Sequence, residues 1–143
     1  MIEVYISGIC EPSPGGRCYY GFTVFEYRYN TDTTKQLFQH ATEYVPKVKN
    51  ETSNYIAEYC ALITALTWLK KNNLTNERIK FYTDSTLLMQ QCSGHWEVKT
   101  GIYKRFAEKA LEMVGKLERK WFLFVPQEFN LAEPIVKKLT QKD

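Results

Sequence analysis

No apolar run in this sequence approaches the roughly 20 residues that a membrane-spanning helix needs, and no charged-then-apolar leader opens it. The expectation is therefore an intracellular, cytoplasmic protein with no membrane partner. Four cysteines (10, 18, 60 and 92) never fall in Cys-x-x-Cys spacing, so no zinc site is indicated. Repeats and low-complexity tracts are missing, and 143 residues suffice for one hydrophobic core, so a single domain over 1–143 is expected. A strong charge bias is lacking too: a net charge of +3 is too small to argue for a polyanionic partner by itself.

What is present starts with an ordinary globular composition, 44% hydrophobic and 24% charged. The small positive excess is confined to the last third, where residues 95–143 hold 10 Lys/Arg against 7 Asp/Glu. Lys99, Lys104, Arg105, Lys109, Lys116, Arg119, Lys120, Lys137, Lys138 and Lys142 form either a solvated surface or a phosphate-facing patch. Cys60 lies in an apolar helical stretch and is expected in the core. Cys10 and Cys18 flank the first loop; whether they pair is open, since a disulfide is unusual inside cells outside hyperthermophiles.

Along the chain, Ile2 to Ser7 reads as a strand stopped by Gly8 and a loop holding Pro12, Pro14, Gly15 and Gly16. Cys18 to Tyr29 is aromatic-rich and β-prone, Asn30 to Thr34 a polar turn, and Lys35 to Tyr44 a returning strand. Residues 1–44 thus predict a three-stranded antiparallel meander. Ser53 or Asn54 caps a helix running to Lys71, apolar nearly all round and hence buried. Arg78–Thr83 is a short strand, Thr86–Cys92 a short helix, and Ile102–Leu117 an amphipathic helix with Ile102, Phe106, Ala110, Met113 and Leu117 on its apolar stripe. Trp121–Val125 is a continuous apolar strand ended by Pro126, and Leu131–Gln141 a last helix. The order β-β-β-α-β-α-α-β-α implies an α/β fold with a mixed five-stranded sheet, three strands antiparallel and two added in parallel by right-handed crossovers.

Parallel strands usually place their chemistry at their C-terminal ends. Ser7 and Asp84 occupy such ends, Glu58 lies early in the buried helix, and Glu133 opens the last helix. Each also has a bland role. Glu58 complements a helix dipole, Asp84 or Ser85 caps a helix, and Asn130 with Glu133 forms a capping pair. Their convergence on one end of a mixed sheet is what favours chemistry.

Four stretches resemble the type 1 ribonucleases H, most closely the archaeal-type members. They are Tyr5-Ile6-Ser7-Gly8-Ile9-Cys10-Glu11-Pro12 with Pro14-Gly15-Gly16; Ser53-Asn54-Tyr55-Ile56-Ala57-Glu58-Tyr59; Tyr82-Thr83-Asp84-Ser85; and Val125 through Glu133. Gly94 to Lys99 resembles a further segment of that family. The resemblance implies the ribonuclease H-like fold and an Asp-Glu-Asp-Asp set holding two Mg²⁺ roughly 3.5–4 Å apart, which cleaves the RNA strand of an RNA–DNA hybrid. Matched by position, Glu58 and Asp84 are the second and third members, Glu133 the fourth, and Ser7 stands at the first. Glu58, Asp84 and Glu133 are then the candidate ligands of Mg²⁺ or Mn²⁺. Cys10, Ser53, Asn54, Tyr55, Thr86 and Lys99 fall on nucleic-acid-contacting positions. His40 and His95 match no catalytic position.

Ser7 is the main departure. A hydroxyl brings no charge and one oxygen, so three carboxylates would face four units of metal charge. Glu3 shares the strand face but lies about 13 Å along it, too far to substitute. Glu11, in the loop, is a weak substitute. Pro134 disturbs the start of the last helix and re-aims Glu133. Three readings follow: a ribonuclease H-like protein that binds RNA–DNA hybrid or double-stranded RNA with lost or strongly reduced hydrolysis; an active metal-dependent hydrolase with a rearranged site; and a scaffold that binds a protein partner through Tyr19, Tyr27 and Tyr29.

Overall fold

A computed structural model describes residues 1–141, so Lys142 of the basic set lies outside the described residues. The elements are β1 (Ile2–Glu11), β2 (Arg17–Arg28), β3 (Thr33–Tyr44), α1 (Asn54–Lys71), β4 (Ile79–Thr83), α2 (Thr86–Cys92), α3 (Lys104–Gly115), β5 (Lys120–Phe124) and α4 (Glu133–Thr140). They form the expected mixed five-stranded sheet, in spatial order β3-β2-β1-β4-β5. β1, β2 and β3 pair antiparallel, whereas β4 joins β1 and β5 joins β4 in parallel.

Alternation along the strands assigns the two faces. Ile2, Val4 and Ile6 of β1, with Phe22 and Val24 of β2 and Ile79 and Phe81 of β4, are buried in the main core with Ile56, Tyr59, Leu62, Leu66 and Leu69 of α1. Cys60 is buried there too. Glu3, Tyr5 and Ser7 point the other way, where Ala132 and Val136 at the start of α4 are fully buried. A network of polar groups ties α1 to α2 and the segment that follows. Tyr59 donates 2.5 Å to Gln91 Oε1, and the Gln91 amide donates to Tyr103 Oη and to the Glu97 carbonyl.

Several sequence expectations shift. β1 does not stop at Ser7-Gly8: it continues along β2 to Glu11, opposite Arg17. Only its parallel ladder with β4 ends early, at the Tyr5–Tyr82 pair. α3 begins at Lys104, leaving Ile102 43% exposed and off the apolar stripe. α4 begins at Glu133, with Ala132 at its N-cap and Pro134 in its first turn. Asn130 lies before the helix, where its side-chain oxygen accepts from the Ala132 amide and its side-chain amide is committed to Ile6. The apolar run 121–125 forms an edge strand in which Phe122 alone is buried; Trp121, Leu123 and Phe124 are exposed. Tyr19, Tyr27 and Tyr29 make no common patch. Tyr27 meets Tyr29 edge-on, but Tyr19 stands eight residues, about 26 Å, back along the strand. Among the described residues, no helix is long and apolar enough to cross a membrane.

Cys10 and Cys18 are opposite each other in the β1–β2 register and disulfide-bonded, with both residues buried against Ala57. The basic residues divide. Lys104, Arg105 and Lys109 ride on α3, which packs on α1, whereas Lys137 and Lys138 ride on α4 across the sheet. They do not form one continuous patch.

Candidate nucleic-acid and metal site

The site forms where β1 outruns β4. Past Tyr5 the parallel ladder is over, so Ser7 faces a gap beyond the end of β4. Asp84 is the first residue after β4, and Ser85 then caps α2 by accepting from the Leu88 amide. Gly8 admits α1. A Cβ there would strike the Glu58 amide nitrogen and come within 2.8 Å of the Ala57 Cβ, so only glycine lets the helix seat this deeply. That close approach carries Glu58 to the same gap.

Ser7, Glu58 and Asp84 line one cavity of about 560 Å³, together with Gly8, Ile9, Glu11, Asn54, Gln127 and Lys137. Glu133 lines a neighbouring cavity and meets the first through Gln127 and Lys137, which belong to both. Its Oε1 accepts from Gln127 Nε2 at 2.6 Å and from Lys137 Nζ at 2.9 Å. Asn130 lines the neighbouring cavity with Glu133: its amide donates 2.8 Å to the Ile6 carbonyl, and its Oδ1 accepts from Ala132.

Burial sets the electrostatics. Glu58 is deprived of water, which pushes its carboxyl up to about 8; a hydrogen bond from Ser85 opposes the shift and the charge of Asp84 adds to it. One of its oxygens, Oε2, is buried without any hydrogen-bond partner. Asp84 is raised as well, first by burial and then by the Glu133 charge, against a stabilising hydrogen bond from Asn130.

An adjoining cavity of about 790 Å³ shares Asn54 and Glu58 with the first and is lined by Ser53, Tyr55 and Thr86. Four of the six residues at predicted nucleic-acid positions therefore stand together. Ser53 caps α1, accepting from Ile56 at 3.2 Å. Asn54 uses its side-chain oxygen to accept from the Cys10 amide at 2.7 Å. Tyr55 is 45% exposed, its ring 5.6 Å from that of Tyr103. Cys10 and Lys99 stand apart: the Cys10 side chain is buried, and Lys99 is on an exposed segment outside both cavities. Glu3 is engaged by the Tyr82 hydroxyl and does not reach the site, whereas exposed Glu11 stands on the cavity wall.

Sequence reasoning overlooked Gln127, Asn130 and Lys137 as parts of the site. For Lys137 a signal existed, since an acid followed four residues later by a base is a helical ion pair. Among the described residues no three His, Cys, Asp or Glu side chains converge as a metal cage. The donors do suit one divalent cation. Mg²⁺ is commonly held by one or two carboxylates completed by substrate phosphates and water, and the orphaned oxygen of Glu58 beside Asp84 offers that.

The model of the reverse transcriptase-like family matches residues 39–136. LC11-RNase H1, isolated from compost and crystallised with an RNA/DNA hybrid, is 24% identical, with a TM-score of 0.78 over 96% of this chain and 95% of that one. The RNase H1 of the halophilic archaeon Halobacterium salinarum NRC-1 is 20% identical, with a TM-score of 0.76 over 99% and 98% of the two chains. The N-terminal RNase H domain of rv2228c from Mycobacterium tuberculosis is 22% identical, with a TM-score of 0.76 over 94% of each. The fold is thus that of the type 1 ribonucleases H.

Proposed function

This chain belongs to the reverse transcriptase-like family, and on that premise we propose that it binds RNA–DNA hybrid or double-stranded RNA while hydrolysing it weakly or not at all. One observation carries the reading: Ser7, a neutral hydroxyl, shares its cavity with Glu58 and Asp84, while Glu133 is occupied by Lys137 and Gln127. In the family that the chain resembles, a first carboxylate would be shared by the two metal ions, and the neutral hydroxyl at position 7 supports the reading that hydrolysis is weakened. A divalent cation bound on Glu58 and Asp84 would supply charge neutralisation for a phosphate. The rest of the recognition falls to the protein: the capped N-terminus of α1 with Ser53 favours a phosphate, and the exposed ring of Tyr55 offers a base or sugar a stacking surface.

A second reading, an active hydrolase with a rearranged site, is favoured by Glu11, the one further carboxylate on the wall that Ser7 lines. Both are tested together with a labelled RNA–DNA hybrid. Binding in EDTA that weakens steeply with salt, combined with cleavage in Mg²⁺ or Mn²⁺ no faster than that of Asp84→Asn, supports the first. Wild-type cleavage abolished by Asp84→Asn and by Glu11→Gln establishes the second.

A further inference from the structure

Lys137 lies one turn into α4, and its ammonium is 2.9 Å from Glu133 Oε1. The same side chain lines the cavity of Ser7, Glu58 and Asp84, where it is the one cation among the described residues. On that wall Glu58, only 8% exposed, keeps its Oε2 buried and unpartnered. A carboxylate oxygen removed from water and given no donor is incomplete, and the residue that carries it lines the cavity through which a completing charge would enter.

Formal charge decides how much positive charge the site accepts. Once a bound ion displaces the proton of Glu58, the inner carboxylates Glu58, Asp84 and Glu133 carry three negative charges, and Ser7 contributes none. Glu11, exposed on the outer wall, is screened by water and left out of this balance. Two divalent ions beside the Lys137 ammonium would leave an excess of two positive charges in a partly buried space. One divalent ion and one ammonium balance the three carboxylates.

We propose that Lys137 is a built-in counter-ion which replaces one of two divalent cations, so that the cavity takes a single divalent ion on Glu58 and Asp84. The loss of an aspartate at position 7 and the lysine on Glu133 are then one compensated change: a negative charge removed and a positive charge supplied. The inference deepens the reading of a hydrolytically weakened site, and its test counts ions without nucleic acid. Hybrid affinity in EDTA bears on the binding reading alone, so either can fail while the other stands.

The probe is Mn²⁺ alone, with the free ion measured by electron paramagnetic resonance during titration. Wild-type protein is expected to bind one Mn²⁺ per chain, and Glu58→Gln to lose it. Lys137→Arg keeps the charge and the count of one. Lys137→Gln binds the first ion roughly tenfold more tightly, because the ammonium no longer repels it. Ser7→Asp combined with Lys137→Gln takes up two. The Lys137 side chain is 56% exposed, so its replacement leaves the fold intact, as circular dichroism and the melting temperature verify. Two ions or none on the wild type would overturn the proposal. So would a Lys137→Gln protein whose count and affinity both match the wild type.

Discussion

The side-chain amide of Asn130 donates a 2.8 Å hydrogen bond to the main-chain oxygen of Ile6, across 124 residues of sequence. Ile6 immediately precedes Ser7, and Asn130 immediately precedes the turn into α4. One buried amide therefore sets the distance between the end of the parallel ladder and the helix that carries Glu133 and Lys137. Its Oδ1 accepts from the Ala132 amide, so both ends of the side chain are in use.

Asn130→Ala strands the Ile6 carbonyl and the Ala132 amide in a buried setting. Each such group costs about 1–3 kcal/mol. Urea denaturation should show the midpoint falling with an unchanged m-value, whereas a loss under 0.5 kcal/mol would deny the clamp its importance.

The carboxyl of Glu58 stands at about 8 in the folded protein against an ordinary value of 4.5. With the folded value raised, the native state holds a proton that the unfolded chain has already released. Stability in EDTA is thus greatest below about pH 4.5 for this group and declines as pH climbs to about 8, with a slope approaching 1.4 kcal/mol per pH unit. Glu58→Gln removes that slope. Denaturation curves at pH 5, 6, 7 and 8 for both proteins check it, and parallel profiles would contradict the assignment.

Ser7→Asp together with Glu133→Asp and Lys137→Gln restores the four-carboxylate set that the family resemblance implies and removes the ammonium that stands in for the second ion. Hybrid cleavage in Mg²⁺ is expected to rise at least about tenfold over the wild type, since a bound metal pair is worth several kcal/mol to phosphoryl chemistry. Single-turnover assays on a labelled hybrid measure it. An inert triple variant would contradict the reading that the missing carboxylate at position 7 is what weakens hydrolysis.

Gln91 satisfies Tyr59, Tyr103 and the Glu97 carbonyl at once, from a residue 3% exposed. Gln91→Leu preserves much of the volume but leaves all three without their partner, so a loss of about 2–4 kcal/mol is expected by calorimetry or chemical melting. Because Tyr103 lines the Tyr55 cavity, the same variant should also weaken hybrid binding.

The meander, the buried helix and the two parallel strands were legible because their signals are local. Val4 and Ile6 alternate with Glu3 and Tyr5, glycines and prolines punctuate 12–16, and Ser53 sits where an N-cap belongs. The convergence of Glu58, Asp84 and Ser7 on one cavity also followed from topology, since a mixed sheet of this order brings those ends together. Even the absence of an aspartate at position 7 was plain in the letters.

Tertiary structure alone decided what those residues are worth. An apolar run such as 121–125 looks the same whether central or at an edge, and only strand order shows that Trp121, Leu123 and Phe124 lie bare. Whether Cys10 meets Cys18 depended on the hairpin register, which sets which residues stand opposite. The pairing of Glu133 with Lys137 was local and could have been read, but its place beside Ser7 could not. That requires Asn130 to grip Ile6 and Gly8 to admit Glu58, contacts between residues remote in sequence that exist only once the chain has closed. Residue order determines the groups available; their charge state and companions are settled by burial and distance, which belong to the folded molecule.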